Sequence, residues 1–230
     1  MSCHDYIKIR FFTMSALRRT SGMMIMILAI GLASTGVLAH EEHQAESKVS
    51  TNAKPANLVK LQVPDLELTN QNGKKARLVS DYIGQRLVAF TFVYTTCTTV
   101  CPVIDGIFRK LQDRIGPDLG NEFALLTMTV NSAIDIPARL KEHSRKLGVK
   151  PGWDFLTGER ETVKQVLKAL EVYTPDIANH PPVVFVVDGR KGEWYRLNGF
   201  SSPELIEQTM RRQLAARKTV SREILHAKSE

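Results

Sequence analysis

The most constraining segment of this sequence is the run 87–115, in which a strand pattern leads through two cysteines into a helical pattern. Residues 87–93 (LVAFTFV) are apolar apart from one threonine, which is typical of a β-strand buried on both faces. Cys97 and Cys101 follow in a turn, and Pro102 then opens a segment with apolar residues at helical spacing. The run therefore predicts a strand, a thiol-bearing turn and a helix, which is the building unit of α/β proteins.

The remaining pattern extends this unit to a whole domain. Asn72-Gly73 separates two alternating segments and predicts an N-terminal β-hairpin. Further strands are predicted at 123–130, 154–156, 183–187 and 194–197, and helices at 103–115, 138–147, 161–170 and from about Pro203. Strands that alternate with helices favour an α/β fold with a central sheet flanked by helices. The hairpin near the C-terminus makes that sheet mixed.

The N-terminal part of the chain indicates export. Residues 1–39 combine a basic segment, an apolar run and small residues near the end, as expected of a signal peptide or of an uncleaved membrane anchor. Residues 40–58 are polar and are predicted to be a flexible linker. The domain is predicted at 59–216, followed by a polar tail at 217–230. Either leader places the domain in the periplasm or on the outer face of the inner membrane.

The charge pattern argues against a nucleic-acid partner, and the number of cysteines limits the chemistry that the domain can perform. The net charge of +7 is spread over blocks of mixed sign, which gives no signature of nucleic-acid binding. Cys3 lies in the leader, so the domain retains Cys97 and Cys101. A structural disulfide is one interpretation, although closing so short a loop adds little stability. At a helix N-terminus we expect both thiols to be acidic, and thiolates attack disulfides and bind soft metals.

Two thiolates rarely complete a metal site, so the histidines are the candidates for a third ligand. Most of them lie in the leader, the linker, a charged helix or the polar tail; these are His4, His40, His43, His143 and His226. His180 instead lies just before the β-forming run 183–187, and open sheets build their sites in loops at strand ends. A histidine in such a loop is equally compatible with a structural role.

Three stretches of the sequence resemble the Sco/SenC family of copper proteins. They are FVYTTCTTVCP at 92–102, KPGWDFLTG at 150–158 and NHPPVVF at 179–185, and the similarity extends over about 63–212. The resemblance implies a thioredoxin-like fold. The sequence departs from the family pattern in two places: it has Asn179 where an acidic residue is common, and Asn131-Ser132 where Asp-Pro is common.

By the same resemblance, Cys97, Cys101 and His180 are the ligands of one copper ion, as Cu(I) or Cu(II), and Pro182 faces the thiols. Thiolates with an imidazole suit both oxidation states of copper, although zinc also accepts this ligand set. The implied function is that of a copper chaperone rather than an enzyme. It would deliver copper to a respiratory oxidase, at the dinuclear copper centre of cytochrome c oxidase, and would need a thiol reductant.

The alternative function is thiol–disulfide exchange on the cysteines of a copper-site protein. In that case Cys97 would be the catalytic nucleophile and Cys101 the resolving thiol. A peroxidase on the same fold is a further alternative, but no activating partner for Cys97 is apparent in the sequence. His180 separates the first two functions, because copper binding requires it and dithiol exchange does not.

Overall fold

The computed structural model describes residues 56–227. The predicted leader, 1–39, and all but the end of the predicted linker, 40–58, lie outside these residues. Within 56–227, no helix combines the length and the apolar character that crossing a membrane requires.

One eight-stranded sheet forms the centre of the domain, in the order β1-β8-β7-β4-β5-β6-β2-β3. The strands are β1 (Asn57–Val59), β2 (Glu67–Asn70), β3 (Lys75–Arg77), β4 (Leu87–Val93), β5 (Phe123–Thr129), β6 (Trp153–Thr157), β7 (Val183–Asp188) and β8 (Glu193–Asn198). Strands β4, β5 and β6 are parallel, whereas β7 is antiparallel to β4 and β8 is antiparallel to β7. The predicted mixed sheet and the β2–β3 hairpin are therefore confirmed.

Four α-helices flank the sheet: α1 (Cys101–Ile115), α2 (Pro137–Leu147), α3 (Arg160–Ala169) and α4 (Pro203–Ala227). Helices α1 and α4 pack on one face, around Phe108 and Met210, and α3 packs on the other, around Val166. The side chains of β4 alternate between these two cores: Phe90 and Phe92 point to the α3 side, and their neighbours point to the α1 side. Each fully buried phenylalanine contributes about 1.5–3 kcal/mol, so β4 is the central support of the fold.

The structure differs from the sequence-based boundaries at both ends of the domain. Strand β1 begins at Asn57, inside the predicted linker, and pairs antiparallel with the outer side of β8. Helix α4 continues beyond the predicted start of the polar tail at residue 217. Arg217 is buried and its guanidinium binds the carboxylate of Asp188 on β7 (Nε to either oxygen, 3.0 Å), which holds α4 against the sheet. A π-helical turn at Leu78–Ile83 was also not predicted.

The strand directions bring the loops that carry Cys97 and His180 to one edge of the sheet. Strands β4 and β5 end there, β7 begins there, and β8, which runs parallel to β4, ends there as well. The loops β4–α1, β5–α2, α3–β7 and β8–α4 consequently meet at this edge. Loops at the carboxyl ends of parallel strands are where open α/β sheets bind their ligands.

Candidate metal and dithiol site

The two cysteines lie together in the β4–α1 turn and are both free thiols. Cys97 is half-buried in the turn, and Cys101 is buried as the first residue of α1. The backbone N–H of Cys101 donates to Sγ of Cys97 over 3.3 Å. This N–H is one of the donors that a helix N-terminus leaves without a partner inside the helix, so the start of α1 is aimed at the sulfur of Cys97.

This arrangement makes Cys97 a strong acid for a thiol. Partial burial alone would raise its pKa, but hydrogen bonds outweigh burial; they come from the thiol and amide of Cys101, the amide of Thr99 and the hydroxyl of Tyr94. Their combined effect lowers the pKa of Cys97 to about 6. Cys97 is therefore largely a thiolate at neutral pH, as expected from its position.

The pKa of Cys101 is shifted in the opposite direction, so the expectation that both thiols are acidic is wrong for Cys101. Burial raises its pKa, and so does its role as hydrogen-bond donor to the Cys97 thiolate, with the result that the pKa of Cys101 is about 12. One negative charge at this site suppresses the formation of a second. The reduced pair is accordingly one half-buried thiolate and one buried, protonated thiol.

His180 lies in the α3–β7 loop at the same edge. A short 3₁₀ turn, Ile177–Asn179, precedes it, and the Asp176 carboxylate caps this turn by accepting from the backbone N–H of Ala178 (3.0 Å). The side chain of His180 is buried, and burial lowers its pKa, so the imidazole is neutral. Its Nε2 atom has no hydrogen-bond partner. An unpaired buried polar atom costs about 1–3 kcal/mol, and a neutral imidazole nitrogen in that state is suited to bind a metal ion.

The structure brings the cysteines together but does not place His180 in contact with them. Among residues 56–227, no three His, Cys, Asp or Glu side chains are gathered as a ready metal site. Strands β4 and β7 are nevertheless paired, with Thr91 opposite Val184. Because the cysteine turn follows β4 and His180 precedes β7, both loops extend from the same end of this strand pair. The phenol of Tyr94 interacts with groups of both loops: its hydrogen bond to Cys97 raises its pKa, and the charge of Asp176 acts in the same direction.

Asp135 holds the cysteine turn in place, and sequence reasoning did not assign it this role. Its carboxylate is buried and accepts hydrogen bonds from the N–H (3.1 Å) and hydroxyl (2.5 Å) of Thr95 and from the hydroxyl of Thr129 (2.5 Å). Arg139 also donates to the Thr95 hydroxyl, over 2.9 Å. Since Thr95 is two residues before Cys97, Asp135 ties the β5–α2 loop to the thiol-bearing turn.

A cleft of about 480 Å³ opens beside His180, between α3 and the β5–α2 loop. Its walls include Asn131, Arg160 and Tyr173. A second cleft, of about 410 Å³, shares Arg160 with the first and continues towards the β2–β3 hairpin. The histidine thus borders a groove that is open to a partner molecule, whereas the cysteines occupy the neighbouring turn.

The sequence model of the SCO1/SenC family matches residues 55–215, which include the sheet, both cysteines and His180. The chain belongs to the SCO1/SenC family. A search among curated proteins gave no match.

Solved structures of SCO1/SenC proteins share the fold at low sequence identity. A SCO1/SenC lipoprotein from Bacillus anthracis is 22% identical, with 69% of this chain and 98% of that chain covered and a TM-score of 0.58. Copper-bound yeast Sco1 is 19% identical, with 65% and 87% covered and a TM-score of 0.54. BsSco, a cytochrome c oxidase assembly protein in which a disulfide switch was identified, is 21% identical, with 66% and 93% covered and a TM-score of 0.55. These similarities confirm the predicted thioredoxin-like fold.

His143 is the one other histidine of this SCO1/SenC chain whose side-chain surroundings the structure describes. His4, His40 and His43 lie outside the described residues. His143 is engaged elsewhere, because its Nε2 lies 2.9 Å from the buried carboxylate of Asp105 on α1 and its ring packs edge-on against Phe155. Of the family departures, Asn179 donates to Asp176 over 2.8 Å and so supports the turn before His180.

Proposed function

We propose that this SCO1/SenC protein binds one copper ion through Cys97, Cys101 and His180 and delivers it to a respiratory oxidase. The observation that carries the proposal is the buried, unpartnered Nε2 of His180 at the edge that bears a thiolate–thiol pair. A soft thiolate and a neutral imidazole suit Cu(I) and Cu(II). Relatives solved with copper bound, such as yeast Sco1, favour copper over zinc as the cargo.

The ligands differ in how ready they are for the metal. Cys97 is already ionised near neutral pH, whereas Cys101 must release its proton as copper enters, because only the thiolate binds the ion. His180 must approach the cysteines, and we assign this movement to the α3–β7 loop and the cysteine turn rather than to the strands that carry them. Three ligands leave the ion accessible, so the ligands of a recipient can bind before those of the donor leave.

The proposed recipient is the subunit of cytochrome c oxidase that holds the dinuclear copper centre. The relative BsSco, described as a cytochrome c oxidase assembly protein, supports this assignment. We place the protein in the periplasm or on the outer face of the inner membrane, in keeping with the predicted leader and with the lipoprotein relative from Bacillus anthracis. An oxidising compartment converts neighbouring thiols to a disulfide, so a thiol reductant is a required second partner.

Anaerobic titration of the reduced protein with Cu(I), against a competing chelator of known affinity, tests the proposal. We expect one tightly bound copper per chain, and a loss of affinity of at least about a hundredfold in Cys97→Ser and in His180→Ala. His143→Ala is the control histidine: it is not one of the proposed ligands, because its ring binds Asp105 on α1, and its removal should weaken copper binding far less than His180→Ala does. Wild-type affinity in His180→Ala would show that the three-ligand site is wrong.

A second candidate function is thiol–disulfide exchange, which the unequal acidity of the cysteines favours. The Cys97 thiolate attacks one sulfur of a partner disulfide, and the other sulfur of the partner leaves as a thiolate. Cys101 then gives its proton to solvent and displaces the partner's remaining sulfur from Cys97. The partner gains two electrons, and the chain is left with a Cys97–Cys101 disulfide.

His180→Ala distinguishes the two functions. Reduction of the disulfide form of a copper-site protein by the reduced variant, measured under anaerobic conditions without copper, should proceed at nearly the wild-type rate if exchange is the activity. If copper delivery is the activity, the variant should lose copper transfer while its thiols remain as reactive as those of the wild type.

A further inference from the structure

Exposed apolar side chains are concentrated at the edge of the sheet that bears the cysteines. Within residues 56–219, five of the six exposed large hydrophobic side chains lie on loops or first turns at this edge; we call these five the apolar rim. They are Val103, Ile134, Ile136, Tyr173 and Phe200, each between 39% and 54% exposed. The sixth, Leu58, is 59% exposed and lies on the outermost strand, β1. Exposed apolar side chains gathered beside a functional site are typical of a surface that a partner covers.

Two members of the apolar rim are fixed beside the cysteine turn. Val103 lies in the first turn of α1, two residues after Cys101. Ile134 directly precedes Asp135, whose buried carboxylate binds Thr95 at the start of that turn. The rim therefore reaches the thiols from both α1 and the β5–α2 loop.

Two further members lie beside His180. Tyr173 lines the same cleft as His180. Phe200 follows Gly199, whose N–H donates to the carbonyl oxygen of Pro182 over 2.9 Å, which places Phe200 next to the start of β7. A partner that covers the apolar rim would therefore contact the loops of all three proposed ligands at once.

Two arginines beside the apolar rim have no carboxylate partner within the described residues. Arg160 lines both clefts and forms no ion pair within the described residues, and Arg139 contacts the Thr95 hydroxyl rather than a carboxylate. Lys164, in the same cleft, is already paired with Glu161 at 3.3 Å. Glu159, which lines the second cleft, also forms no ion pair within the described residues, so these two guanidinium groups give the surface only a small excess of positive charge. Arginine has a geometry that matches carboxylates, so both groups are suited to bind acidic side chains of a partner.

We propose that the apolar rim is the docking surface for the copper recipient, and that the recipient presents apolar side chains together with carboxylates to Arg139 and Arg160. The inference rests on the proposed function, since it names where the recipient binds. A protein occupant is favoured over a lipid surface because Arg160 lies in the wall of a cleft, where a protruding side chain can reach it. Copper must also pass directly between ligands at this edge.

The test uses the chain without the predicted leader, residues 40–230, and the soluble, copper-free domain of the oxidase subunit that holds the dinuclear copper centre. Binding is measured by calorimetry for the wild type and for Val103→Ser, Tyr173→Ser and Phe200→Ser. Each rim variant should bind at least about fivefold more weakly, whereas Leu58→Ser, the matched control on β1, should bind like the wild type. Copper affinity, titrated separately, should be unchanged in all four.

The electrostatic part is tested by charge reversal. Arg160→Glu should weaken binding about tenfold and reduce its salt dependence, whereas Arg190→Glu, the same change on the exposed β7–β8 turn, should do neither. The inference is overturned if the wild type does not bind the domain, or if Leu58→Ser weakens binding as much as the rim variants do. The inference is also overturned if the rim variants bind the recipient normally but lose self-association or binding to anionic lipid vesicles. None of these results changes the copper titration, which tests the proposed function by itself.

Discussion

Removing the thiol of Cys101 should make Cys97 measurably less acidic. The hydrogen bond from the Cys101 thiol is the largest of the contributions that lower the pKa of Cys97 to about 6. Cys101→Ala deletes this donor but keeps the backbone N–H of residue 101, 3.3 Å from the sulfur. A hydrogen bond to a charged acceptor contributes about 1.5–3 kcal/mol, and because Cys97 is partly exposed we take the lower end, about tenfold in acid dissociation.

The assay is the rate of Cys97 alkylation by iodoacetamide in the reduced protein, followed by mass spectrometry across a range of pH. The thiolate is the reacting form, so well below the pKa the rate is proportional to the thiolate fraction. Near pH 5, Cys101→Ala should react about tenfold more slowly than the wild type. Cys101→Ser, whose hydroxyl still donates, should fall between the two. A wild-type midpoint like that of free cysteine, or an unchanged midpoint in Cys101→Ala, would refute this account of the site.

The same geometry determines how copper binding depends on pH and how two buried carboxylates stabilise the fold. Binding of Cu(I) near pH 7 should release about one proton, from Cys101, and the number should rise towards two below pH 6, because Cys97 becomes protonated there. Calorimetry in buffers of different ionisation enthalpy measures the number of protons released. Release of two protons at both pH values would contradict the prediction. Asp135→Ala should lower the free energy of unfolding by about 2–4 kcal/mol and also weaken copper binding, because the cysteine turn loses its anchor. Arg217→Met should cost about 3–5 kcal/mol by leaving Asp188 buried without its partner, yet leave copper affinity and Cys97 alkylation unchanged, since both residues lie at the opposite end of the sheet. Chemical denaturation gives the stabilities of both variants, and a copper defect in Arg217→Met would argue against a local role for Asp135.

The parts of the fold that follow from local pattern were predictable from the sequence. Strand β4 matches its predicted bounds because its side chains fill two cores in alternation, which leaves an unbroken apolar run. Strand β1 was missed because its short segment gains its structure from pairing with β8, far along the chain. The same holds for Arg217: its burial depends on Asp188, and a basic residue near a C-terminus gives no signal of such a partner.

The candidate site was predictable in its residue types but not in its electrostatics. Spacing and position were enough to predict that Cys97 and Cys101 share a turn at a helix N-terminus. The opposite shifts of their pKa values depend on which sulfur is buried and which one donates, and this is a property of the folded turn. The role of Asp135 was hidden for a similar reason, since an acidic residue in a loop is ordinarily exposed.

X-ray absorption at the copper edge is the decisive experiment for the three-ligand site, because it identifies the atoms bound to the ion. In the copper-loaded wild type, we expect two sulfur ligands and one imidazole nitrogen. In His180→Ala the imidazole contribution should disappear while the sulfur contribution remains, and in Cys97→Ser one sulfur should be lost. Copper bound without an imidazole in the wild type, or an imidazole signal that persists in His180→Ala, would contradict the assignment of His180 as the third ligand.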